Sequence, residues 1–192
     1  MPLDQRTIQL LAKYLPDFQP IPLEKEAKEA SWGYGWTTLS LPIANGADYG
    51  FSLHEYNGDQ YDVSASLLNP QDSTKRHFWH ISLEVLDKSK ANEVFSYYLQ
   101  LIEVLLCHET RIEQQKGLLF GSLRCDYLDE ELWKKVGSVS FFRYLIHGPT
   151  ISGRSKIYRS PAVSDFRMTS AENESFTSKR THSIILGSIR SE

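Results

Sequence analysis

The change of hydrophobic period near Asp87 constrains this chain more than any other feature. Upstream, His77–Leu86 places Trp79, Ile81, Leu83 and Val85 on one face and Phe78, His80, Ser82, Glu84 and Leu86 on the other. That alternation belongs to a half-buried strand. Downstream, Val94, Phe95, Tyr98, Leu99, Ile102, Leu105 and Leu106 recur at spacings of one, three and four, the stripe of a helix with one face on a core. Asp87 to Ser89 supplies capping side chains between the two. The pattern predicts a strand followed by a helix over Ser89–Cys107, their apolar faces buried against each other.

Strand and turn signals crowd the region before it. Ser31–Leu41 alternates Trp32, Tyr34 and Trp36 with Gly33, Gly35, Thr37, Leu39 and Leu41. Asn45-Gly46 marks a turn, and Tyr49–Tyr56 reads as the next strand. Asn57-Gly58 is the strongest hairpin signal in the chain, because both residues tolerate positive φ. Tyr61, Val63, Ala65 and Leu67 mark the strand that follows. The expectation is an α+β fold, with an antiparallel β-meander of four or more strands packed against the long amphipathic helix. Gly117–Arg124 and Val139–Ile146 add strands in the C-terminal third.

Other segments carry weaker patterns. Asp4 caps a first helix to about Tyr14, ended by Pro16. Glu24–Ala30 reads as exposed helical turns and His108–Lys116 as a polar stretch. Asp126–Lys135 reads as a short helix, acidic in its first turn with Lys134 and Lys135 at its end, an order that suits the macrodipole. Gly148–Pro161 reads as a loop. Residues 1–163 are expected to form one domain, with 164–192 a mobile polar segment whose stretch 182–189 returns as a last strand.

Charge is unevenly spread. From Phe141 onward eight basic residues face four acidic ones, although the whole chain carries −3. This balance argues against a nucleic-acid binder. Cys107 and Cys125 form neither a metal spacing nor a disulfide framework and read as buried free thiols in a reducing compartment. With no signal-peptide pattern and no apolar run of about 20 residues, a soluble cytoplasmic protein without a membrane partner is expected.

Several motifs invite a chemical reading. Gly148-Pro-Thr-Ile-Ser-Gly153-Arg154-Ser155 has phosphate-loop spacing, with Arg where Lys belongs. The residues after it do not read as the required helix, and Arg is not equivalent to Lys there. A basic, glycine-hinged surface loop results, in which Arg154, Lys156 and Arg159 have no nearby acid in sequence. The tracts His80-Ile-Ser82 and His108-Glu-Thr110 resemble the signature of two-histidine phosphoesterases, which implies general acid–base histidines with phosphate-binding hydroxyls. The second tract follows a helix instead of a strand, which departs from that signature. His77 and His80 point to opposite faces of their strand and cannot share a metal ion. No cofactor or metal is expected.

Trp32, Tyr34 and Trp36 are read as the inner face of the sheet, with a stacking platform or interface anchor as the alternative. Two functions therefore compete. In the first, the chain is a non-enzymatic protein-binding module (an inhibitor, immunity-type protein, chaperone or adaptor) that meets an acidic partner through Arg154, Lys156, Tyr158, Arg159, Trp32 and Trp36. In the second, a small enzyme or binder takes a phosphorylated or nucleotide-like anion through His80, Ser82, His108 and the basic loop 148–159. The absence of a convincing catalytic constellation favours the first.

Overall fold

A computed structural model describes residues 3–25, 35–56, 58–68, 77–116, 120–142 and 155–165. Within them, helix α1 (Gln5–Tyr14) is followed by strands β1 (Leu23–Lys25), β2 (Trp36–Ser40), β3 (Tyr49–Tyr56), β4 (Gln60–Leu67) and β5 (His77–Glu84). Helix α2 (Ala91–Cys107) then leads to β6 (Thr110–Lys116), β7 (Phe120–Asp129), β8 (Leu132–Phe142) and β9 (Lys156–Ser160). The first five strands form one antiparallel sheet in sequence order, and the last four form a second in the order β8-β7-β6-β9. The fold is α+β, as the change of period requires.

Local chemistry explains the elements that position the rest. The Asp4 carboxylate caps α1 by accepting from the Arg6 amide at 2.8 Å. Asp87 accepts from the amide of Ser89 at 2.9 Å, opening a 3-10 turn that leads directly into α2. Gly58 sits at φ +79° in the turn joining β3 to β4, a conformation that glycine adopts without strain. Leu39, Leu53, Val63 and Ile81 lie in one cross-strand row on the inner face.

One buried cluster unites the inner faces of both sheets with the two helices, drawing in Leu11, Val63, Trp79, Tyr98, Ile102, Ile112 and Cys125. Tyr61 of β4 meets Phe95 and Tyr98 of α2 at ring separations of 5.0 and 4.9 Å. The sheets also meet directly. The Tyr49 hydroxyl bonds to Thr110 Oγ1 at 2.7 Å, the Asp48 amide donates to the Arg159 carbonyl at 2.8 Å, and the Arg159 amide donates to the Asp48 carboxylate at 2.8 Å. At the far junction Gly137 allows close approach, since a Cβ there would lie 3.1 Å from Ile81 Cδ1.

Three expectations of secondary structure are corrected. Asp126–Lys135 is not a helix: β7 runs to Asp129 and β8 starts at Leu132, across a turn in which Glu130 and Glu131 have φ of 47° and 68°. The period-2 set Leu123, Cys125 and Tyr127 faces inward and outweighs the helix-like charge order. The polar stretch His108–Lys116 contains β6, whose Thr110 and Ile112 are fully buried. Lys156–Ser160 is not loop but strand, paired with β6 from Thr110↔Ser160 to Gln114↔Lys156. Glu24 and Lys25, expected to open helical turns, are extended as part of β1. Trp32, Arg154, residues 26–30 and residues 166–192, including the expected strand 182–189, lie outside the described residues.

Candidate interaction surface

The outer face of the second sheet is built by alternation on four strands. β6 contributes Arg111 and Glu113 and β9 contributes Ile157 and Arg159, with Arg111 directly opposite Arg159. β7 contributes Arg124, Asp126 and Leu128. A register shift at Cys125/Asp126 then realigns β8, so that Lys135 pairs with Asp126 and Trp133 with Leu128. A one-residue bulge thereby turns Trp133 and Lys135 onto the face that carries the arginines.

Asp126 anchors this surface. Although on the outer face, its side chain is 0% exposed, while those of Arg111 and Arg124 are 22% and 41% exposed. Arg111 Nε donates to Oδ2 at 3.2 Å, and Arg124 Nε donates to Oδ1 at 2.5 Å. One carboxylate therefore fixes two guanidiniums by their Nε atoms. Their terminal Nη groups make no hydrogen bond among the described residues. The Arg111 guanidinium stands 4.2 Å from the centroid of the Trp133 ring, within the cation–π range, and that of Arg159 approaches the same ring at 5.9 Å. Arg159 also faces Glu109 at 3.6 Å, a loose and exposed pairing. Ile157 remains exposed on this face, whereas exposed Leu132, paired with Asp129, alternates to the other one.

The residues singled out in the sequence fall in several places. Arg159 joins the arginine surface. Tyr158 alternates to the inner side, where it packs partly buried against the core, and Lys156 lies exposed at the start of the strand. The neighbours Tyr158 and Arg159 therefore serve opposite faces. Trp36 lies on the outer side of the first sheet, half-buried, with its ring 6.1 Å from that of Tyr56. Thr37 and Leu39 take the inner positions beside it. The inner-face reading of the aromatic ladder is thus corrected at Trp36: aliphatic residues of β2 fill the space facing the helices.

His80 and Ser82 share the outer face of the first sheet, His80 exposed opposite Ser64 and Ser82 donating to Asp62 Oδ2 at 2.7 Å. Next to them His54, almost buried, bonds Thr38 Oγ1 at 2.9 Å and Ser64 Oγ at 2.8 Å through its two ring nitrogens. His108 belongs instead to the second sheet. Its Nδ1 donates to the Leu128 carbonyl at 3.0 Å and its ring lies against Tyr127. Among the described residues no hydrogen bond or ring contact links His108 to His80 or Ser82. Cys107 is half-buried and Cys125 fully buried, both as free thiols whose pKa burial raises. No group of three His, Cys, Asp or Glu side chains among the described residues is placed to hold a metal ion, and no described helix is long and apolar enough to cross a membrane.

Sequence reasoning missed Arg111, Arg124, Asp126 and Trp133. Their signal was alternation, Arg111-Ile112-Glu113 and Leu123-Arg124-Cys125-Asp126, which marks two outer faces without saying that they are the same one. No protein-family model matches the chain, and searches of characterised proteins and of solved structures found no significant match.

Proposed function

We propose that this chain is a non-enzymatic protein-binding module of the inhibitor, immunity, chaperone or adaptor kind, and that it meets an acidic region of a partner protein with the outer face of its second sheet. The observation that carries the reading is the pair of guanidiniums fixed by buried Asp126, with no hydrogen bond to their terminal nitrogens among the described residues and with Arg111 against the Trp133 ring. Arginine and tryptophan in a pre-organised patch are the residue types that dominate binding energy at protein interfaces. Arg159 brings a third cation from the opposite edge strand, and exposed Ile157 adds apolar area.

The exposed charges of Lys135 and Arg159 on this face steer association more than they hold the fold, since exposed groups contribute little to stability. The test replaces Lys135 and Arg159, both exposed, with glutamate in the full chain. Proteins captured from a lysate by wild type and variant are compared, and association rates of each captured protein are measured at low and high salt. The expected result is that one acidic partner associates about tenfold or more slowly with the variant at low salt, with the difference shrinking as salt screens it. Equal rates for every captured protein at both salt concentrations would overturn the proposal.

A further inference from the structure

We infer that the group received by this face is a carboxylate, the side chain of a glutamate or aspartate in an extended partner peptide, gripped by the terminal edges of Arg111 and Arg159 beside Trp133. This rests on the proposed function and specifies its chemistry. Because Asp126 occupies Nε of Arg111, the edge formed by its two Nη atoms makes no hydrogen bond among the described residues, and Arg159, with one Nη 3.6 Å from Glu109, brings a second guanidinium from the neighbouring strand. That edge matches the two oxygens of a carboxylate in parallel hydrogen bonds. Arg111 and Arg159 stand directly opposite on neighbouring strands, a like-charge pairing that costs stability and that Asp126 offsets on the Arg111 side only. Glu109 supplies only a loose counter-charge, 3.6 Å from Arg159.

The neighbours discriminate between anions. Glu109, Glu113 and Asp48 all flank the arginines: Glu109 on Arg159, Glu113 across from Arg124, and Asp48 on the Arg159 backbone. Their repulsion grows with the charge of the ligand, so a singly charged carboxylate is tolerated better than a phosphomonoester near −2. The floor and rim point to a peptide over a free ion, because Trp133 and Ile157 offer apolar contacts on either side of the cations that only a side chain next to the carboxylate can use.

Three probes test this on the full chain: a short end-blocked peptide of alternating leucine and glutamate, the same peptide with glutamine, and inorganic phosphate. The readouts are the Nε–H resonances of Arg111 and Arg159 and the indole N–H of Trp133 in ¹⁵N correlation spectra. The glutamate peptide should shift all three saturably, and the glutamine peptide should bind at least about tenfold more weakly, the loss expected when charge-assisted bonds are removed. Arg159→Lys, which keeps the charge but not the fork, should weaken the glutamate peptide by a similar factor while the remaining spectrum stays folded. If phosphate saturates these resonances as tightly as the peptide, the anion is a phosphoryl group and the carboxylate assignment falls. If the glutamate peptide leaves them unmoved while the Lys135→Glu, Arg159→Glu variant still loses its acidic partner, this inference fails and the proposed function stands. If both experiments are negative, both are wrong.

Discussion

Removing the partners of the Asp126 cluster one side at a time should give unequal penalties, and the order of those penalties follows from exposure. Asp126 has no contact with water, whereas Arg111 and Arg124 keep 22% and 41% of their side-chain surface exposed. Asp126→Asn removes the negative charge and leaves two cations that can turn toward solvent. It loses charge-assisted hydrogen bonds, but hydration recovers part of them, so the expected cost is about 1–3 kcal/mol. The double change Arg111→Met, Arg124→Met leaves the carboxylate, which cannot move into water, without a counter-charge. Stripping a buried ion of its partners costs about 3–5 kcal/mol. Urea denaturation at neutral pH measures both, and thermal unfolding gives a second reading at about 2–4 °C per kcal/mol for a chain of this size. The double arginine variant should be the less stable of the two. If Asp126→Asn proves more damaging, or if the double variant loses less than about 0.5 kcal/mol, the carboxylate is not desolvated and the reasoning fails. The triple variant, with Asn at 126 and Met at both arginines, should recover part of the loss, since it removes the orphaned charge.

Two further effects follow from particular backbone and burial features. Glu130 and Glu131 both occupy left-handed backbone in the β7–β8 turn, where Asn-Gly is the favoured pair; Glu130→Asn with Glu131→Gly should raise stability by about 1 kcal/mol or more, seen as a higher melting temperature, and no rise would show that the turn carries no strain. Glu55 is nearly buried, and desolvation raises its pKa above the ordinary 4.5 despite hydrogen bonds from the Asp4 amide and Thr7 hydroxyl that oppose the rise. Its folded-state preference for the proton favours the fold below the unfolded-state pKa and is lost as pH rises through the higher folded value. Measured against Glu55→Gln, wild-type stability should therefore fall as pH rises from the ordinary carboxylate range through the raised folded-state value, and a parallel pH dependence in the two proteins would refute the assignment.

What the sequence determined by itself was every feature that depends on neighbours within a few residues. The period at His77–Leu86 and along Val94–Leu106, the caps Asp4 and Asp87 and the Gly58 turn are local physics, and each reappears as an element in its expected place. Local signals misled where two of them competed: the charge order of Asp126–Lys135 suited a helix, but the inward alternation of Leu123, Cys125 and Tyr127, the first two buried, needed a sheet. A strand's backbone donors and acceptors are met by another chain segment, so pairing energy enters from outside any window. The site lies further beyond local reach. Arg111, Arg124, Trp133 and Arg159 come from four strands, and only the order β8-β7-β6-β9, with the bulge at Cys125/Asp126, sets the first two on one buried carboxylate and the Trp133 ring near Arg111 and Arg159. Nothing near Asp126 in sequence marks it as the fully buried member, because its burial is made by side chains from strands that the tertiary fold brings beside it.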